Sequence, residues 1–132
     1  EGVQAIFVPA AFNMTTGPAH WEMSFRMRAL DNQVFMAGCA PARDMESSYT
    51  AWGHSIATDP WGFVIDQMDE TEGILTVELD MSRLDTVRQQ LPLLKHRRTD
   101  FYTVETINSS MLIFSIRFSN STSFFCFLPL KS

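Results

Sequence analysis

Two short apolar runs on either side of a stretch with helical periodicity limit what this chain can fold into more than any other feature. Residues 3–9 (VQAIFVP) and 33–39 (QVFMAGC) are too short for stable helices and are bounded by turn-forming or polar residues, so they read as strands. Between them Trp21, Phe25, Met27 and Leu30 recur near helical spacing. Pro18 belongs in a first helical turn, with Glu22 slightly later and Thr16 or Gly17 placed as the cap. That helix should end near Asn32, with Arg28 and Asp31 spaced to pair on its surface.

Further along, a polar loop over 40–50 carries Arg43, Asp44 and Glu46. Runs at 54–58 and 63–67 flank Asp59, Pro60, Trp61 and Gly62, a type I turn sequence that predicts a hairpin. Residues 74–79 alternate Ile, Leu, Val and Leu with small or polar neighbours and read as a strand. Asp80 or Ser82 can cap a helix over 81–91, which Pro92 stops. Residues 93–105 mix basic side chains with Phe101, Tyr102 and Val104, predicting an extended arm that packs through its aromatic face. Strands alternating with helices make the fold class α/β, and 132 residues allow one domain at most.

From residue 106 the character changes. The tail at 106–132 holds seven serines and five of the eleven phenylalanines but no acid, so it is expected to stand apart from 1–105 as an atypical apolar, Ser-rich segment. Read-through into non-coding sequence would produce such a tail, and its strand-forming runs carry an aggregation hazard. Those runs are too short and too broken by polar residues for a membrane helix, so no membrane partner is expected.

A formal charge of −5 argues against a nucleic-acid ligand, whose binding needs a basic footprint. Cys39 and Cys126 are too few and too far apart for a disulfide framework or a paired zinc site, which points to an intracellular setting. No phosphate loop or metal-ligand spacing is present, and no cofactor is expected. With no initiator Met and no signal peptide before the first strand, the expectation is a truncated chain.

The stretches FVPAAFNMTTGPAHWE at 7–22, RMRALDNQVFMAGCAPARD at 26–44, YTAWGHSIATDPWG at 49–62 and RLDTVRQQLPLLKHRRTDFYTVE at 83–105 resemble the omega-amidase branch of the nitrilase superfamily. The resemblance covers nearly all of 1–105, which it implies is a partial carbon-nitrogen hydrolase domain. It implies the C-terminal half of an αββα sandwich, and a reaction in which a cysteine thiolate attacks an amide carbonyl. A glutamate would then shuttle the proton and a lysine hold the oxyanion. In that family all three residues precede the strand at 3–9, so no catalytic residue is expected here. The implied substrates are the keto-acid amides α-ketoglutaramate and α-ketosuccinamate. A homodimer, formed through helices and C-terminal arms, and a cytoplasmic or alternatively mitochondrial location complete the expectation.

Phe12, Asn13, Thr15 and Thr16 lie in the strand-to-helix loop, at the edge where α/β folds build ligand sites, and the resemblance sets that loop beside the absent cysteine. They read either as substrate-pocket lining or as a plain capping loop. His20 and Trp21 begin the helix, where the imidazole could bind a neighbouring loop and hold the pocket wall, or simply support the structure. Arg43 could grip a substrate carboxylate through its planar fork or form a surface ion pair with Asp44 or Glu46. Cys39, ending an apolar strand, reads as a small buried hydrophobe in preference to a nucleophile. His54, and His96 in a basic run, read as poor ligands.

Overall fold

The computed structural model describes residues 2–101. The apolar runs become strands β1 (Ala5–Pro9) and β2 (Phe35–Cys39), joined by helix α1 (Thr16–Asn32). Because β1 and β2 run parallel, the chain must return along the length of the sheet between them, and α1 is that crossover. The hairpin forms as expected from β3 (Ile56–Thr58) and β4 (Val64–Gln67), both antiparallel to their neighbours, and the sheet runs β1-β2-β3-β4. Gly62, at φ +84°, ends the turn by donating to the Asp59 carbonyl at 2.9 Å. Asp59 completes the turn by accepting the Trp61 and Phe63 amides on Oδ1, each at 2.9 Å.

Alternation along the strands decides which side chains meet α1. Ile6, Val8, Val34, Met36 and Ile56 pack with Trp21, Phe25 and Ala29 of the helix. Val8, Gly38 and Ile56 are neighbours across three strands, so Gly38 sits in the middle of this surface with no side chain. The Phe25 ring takes up the space: a Cβ on Gly38 would lie 2.4 Å from its Cζ. On the opposite face Phe35 and Ala57 are buried, and Val77 and Leu79 lie against Ala5, Phe7 and Ala37.

Helix α2 (Ser82–Gln90) buries Leu84 and Val87. Asp80 starts it, its Oδ1 accepting the Ser82 amide at 3.0 Å and hydroxyl at 2.7 Å. These bonds hold the Asp80 carboxyl below its ordinary pKa, hydroxyl first and amide second. The helix is tied to the rest by charge-assisted bonds. Arg83 donates to Asp59 at 3.0 Å, and Arg88 to the Gln33 carbonyl at 3.0 Å. Gln33, left-handed at φ 51° and fully buried, ends α1 and returns a side-chain bond to the Leu91 carbonyl.

Three local expectations are corrected. Residues 74–79 alternate in exposure as a strand would, yet they join no ladder. Val77 and Leu79 lie against a face of the sheet instead of extending its edge, so side-chain packing satisfies the pattern without backbone pairing. Residues 93–101 form turns, not an extended arm, because the amides of Lys95 and His96 both fold back to the Pro92 carbonyl at 3.1 Å. Phe101 is 76% exposed beneath the Arg98 guanidinium. On α1 the pair that forms is Glu22–Arg26 at 3.1 Å, in place of Arg28 with Asp31. Readings placed on 102–132, the tail included, lie outside the described residues.

Because Phe25 fills the place of a missing side chain, Gly38→Ala should overpack the core and cost about 1–3 kcal/mol. Urea denaturation checks this, with a lower midpoint and an unchanged slope as the expected result.

Candidate functional site

Parallel strands end on the same side, so the loops leaving β1 and β2 open at one edge of the sheet. Ala10 donates its amide to the Cys39 carbonyl at 3.0 Å, continuing the ladder past the strand ends. Beyond that point the loops are zipped together. Trp52 donates its amide to the Phe12 carbonyl at 2.7 Å, Asn13 bridges to Ala51, and the Tyr49 hydroxyl donates to the Ala11 carbonyl at 3.1 Å.

Of the residues singled out in the first loop, Asn13 has the clearest structural task. Its Oδ1 accepts the Thr15 amide at 3.0 Å, the Thr16 amide at 2.8 Å and the Thr16 hydroxyl at 3.0 Å. Asn13 therefore caps α1, where the sequence pointed to Thr16 or Gly17. Thr16 gives its donors to Asn13, and Thr15 is exposed beside it. Phe12 is half-buried with its ring edge-on to Trp21, centroids 5.2 Å apart. His20 lies exposed on α1, and among the described residues no hydrogen bond joins it to this loop.

Arg43, from the second loop, is already engaged. Its Nη2 donates to the Trp52 carbonyl at 2.9 Å, and its Nη1 lies 3.4 Å from Glu70 Oε1. The ion-pair partner is thus Glu70, not Asp44 or Glu46, and Asp44 instead accepts the Glu46 amide. The guanidinium also lies 5.0 Å from the Trp52 ring centroid, with its Nε buried and unpartnered. Glu70 reaches His54 as well, with Oε2 3.9 Å from Nε2. Asp69 beside it is held below the ordinary carboxyl pKa, first by the Thr71 hydroxyl, then by the Thr71 amide, with His54 adding a small attraction.

Sequence reasoning missed Trp52 and Glu70 and gave His54 no task. The imidazole stacks on the Trp52 ring at 4.2 Å and 7°, while its Nδ1 faces the Trp52 carbonyl at 2.8 Å. Trp52 in turn presses on the start of α1, since a Cβ on Gly17 would lie 2.2 Å from its Cγ. The adjacent pair Gly53 and His54, both at positive φ, marks a sharp reversal, and the Gly-His dipeptide was the available signal for it. Together the two loops form a braced edge at which Asn13 and Thr15 are exposed.

Residues 1–89 match the carbon-nitrogen hydrolase family. The chain is 52% identical over 106 residues to omega-amidase NIT2 of Mus musculus, covering 80% of this chain and 38% of that one. With omega-amidase NIT2 of Homo sapiens the identity is 48% over 105 residues, with the same coverage. Among solved structures, Saccharomyces cerevisiae Nit3, a member of branch 10 of the nitrilase superfamily, superposes with a TM-score of 0.68 at 48% identity, over 71% of this chain and 35% of that one. The C. elegans NitFhit protein gives a TM-score of 0.73 at 39% identity, over 77% and 25%. The chain thus spans well under half the length of the relatives it matches.

Since one carboxamide oxygen holds three donors, Asn13→Ala should destabilise the chain by about 0.5–2 kcal/mol. Thr16→Val, which removes a single hydroxyl from the same cluster, should cost less. Comparing their urea midpoints checks the ranking, and a larger loss for Thr16→Val would return the capping role to that residue.

Proposed function

The chain belongs to the carbon-nitrogen hydrolase family, and from that premise we propose that it is the C-terminal part of an omega-amidase, releasing ammonia from α-ketoglutaramate or α-ketosuccinamate. The observation that carries this reading is the roughly 50% identity, over 80% of the chain, to proteins bearing that name. The nucleophilic cysteine, the glutamate and the lysine belong, in this reading, to sequence before residue 1. The thiolate adds to the amide carbon, and the lysine ammonium holds the developing oxyanion. Protonation by the glutamate lets ammonia leave, and water then attacks the acyl thioester to free the keto acid and restore the thiolate.

The contribution of this chain is the wall. Residues 12–16 line the pocket, with the Asn13 carboxamide and the Thr15 hydroxyl as its exposed polar groups, and His20 lies farther along α1. Arg43 is already shared by Glu70 and the Trp52 carbonyl, so to grip a substrate carboxylate it would have to give up Glu70. In its present contacts it supports the wall from behind. No cofactor enters the reaction, and the cytoplasm is the proposed location, with the mitochondrion as the alternative.

A non-catalytic role through self-association is the second reading, and exposed methionines support the association. Met23 and Met27, 56% and 48% exposed, line a groove with Trp61 between α1 and the hairpin turn. Flexible apolar side chains adapt to a second copy of the same surface, and a two-fold axis suffices to bury them. We assign a homodimer contact to this groove. Met23→Glu with Met27→Glu should convert a dimer to monomer in sedimentation equilibrium, and an unchanged mass would place the contact elsewhere.

Ammonia release from the two amides separates the readings. The 132-residue chain should release none above background, with or without Cys39→Ala. Extended by its upstream coding sequence, it should release ammonia from both. Release by the short chain that vanishes with Cys39→Ala would move the chemistry into this segment, and a folded but silent extended chain would favour the non-catalytic reading.

A further inference from the structure

Four aromatic residues around the loop edge form a closed circuit. The Trp52 amide holds the Phe12 carbonyl at 2.7 Å. Phe12 sets its ring edge against Trp21, whose indole Nε1 donates to the His54 carbonyl at 2.6 Å. His54 closes the circuit by stacking its ring on Trp52. Phe12 is therefore fixed twice, at its carbonyl and at its ring, and both holds lead back to His54.

The His54 ring is oriented by contacts at both of its nitrogens. The Trp52 carbonyl can only accept, so Nδ1 must carry a proton, which leaves Nε2 directed at Glu70. Glu70 and Asp69 are the acids facing the imidazole, and Arg43 shares Glu70 with it, while α1 brings it the uncharged Trp21. Backbone geometry supports the same contact. His54 sits at φ 64°, and Gly53 passes so close to the 68–70 segment that a Cβ there would lie 2.8 Å from Glu70 Cα. A left-handed His held by its own ring, carbonyl and amide is a strained position maintained by its surroundings.

We propose that His54 is a positioning residue for the pocket wall, fixing residues 12–16 through Trp52 and Trp21, with Glu70 steadying both His54 and Arg43. The inference rests on the reading of residues 12–16 as the wall of an amide-hydrolase pocket. It assigns His54 no contact with substrate. Its effect is on where the Phe12 ring and the Asn13 and Thr15 polar groups stand when substrate arrives.

Amide hydrogen exchange, followed residue by residue by NMR on the full 132-residue chain, tests this without substrate. His54→Ala should speed exchange at Thr16, Gly17 and Trp52 on the order of tenfold, while the amides that pair β2 with β3 keep their wild-type rates. His54→Asn keeps a residue tolerant of positive φ and a donor for the Trp52 carbonyl, and should restore most of the protection. Glu70→Gln, at a half-exposed side chain, should loosen the same amides less, and it serves as the test if His54→Ala does not fold. Unchanged loop exchange in these variants, equal loosening of loop and sheet, or no recovery with Asn would each overturn the proposal. Because exchange is read with no turnover, the outcome stands apart from the ammonia assay: loop protection lost as expected, together with a folded extended chain that releases no ammonia, would sink only the amidase reading.

Discussion

Phe25 reaches the middle of the sheet because Gly38 leaves a side chain's worth of space there. Val8 and Ile56 flank that space on the neighbouring strands, so the ring is surrounded on the side where a single strand position is empty. The loop edge takes its place from how α1 is seated. The helix can lie flat across three strands only with the ring sunk in this way, and only a helix so placed delivers its N-terminus beside the ends of β1 and β2. A second close approach, the Trp52 ring on Gly17, fixes the other end of the helix against the loop that follows β2. Two rings on two glycines thus set both the tilt and the advance of one element.

The loop edge adds polar contacts to this apolar seating. Arg43 and His54, from one loop, both meet the Trp52 carbonyl and ring, which makes the indole a shared floor for the two, and Glu70 reaches both from another loop. Half-exposed ion pairs of this kind add little to global stability. Their value lies in direction: two loops distant in the chain are held at a common point, and the Trp52 amide joins one of them to the Asn13 loop through the Phe12 carbonyl.

Much of the framework was legible because it rests on periodicity. The runs at 3–9 and 33–39 and the apolar spacing of Trp21 and Phe25 each answer to a single period, and Pro18, Asp59, Gly62 and Pro92 punctuate as their backbone chemistry requires. The site was less legible for two reasons. Asn13 lies two and three residues from the amides it caps, so the nearer Thr16 and Gly17 drew the assignment, although an Asn two residues before a pair of threonines is itself the pattern of such a turn. Arg43 meets Glu70 across 27 positions, a pairing that only the tertiary fold creates, whereas Asp44 and Glu46 were merely close in sequence. Residues 74–79 teach a different lesson. Alternation reports that one face is covered, and says nothing about whether the backbone joins a ladder.

The cover supplied by 74–79 differs in kind from the one supplied by α1. The helix satisfies its own backbone and is anchored by a sunken ring, while this segment rests on the sheet through alternate side chains and shares no ladder bond with it. Lifting it would wet Phe35 and Ala57 yet leave every strand pairing whole. The sheet is therefore covered in two different ways: one face by a helix that meets its own backbone needs, and the other by a segment whose hold on the sheet is side-chain packing.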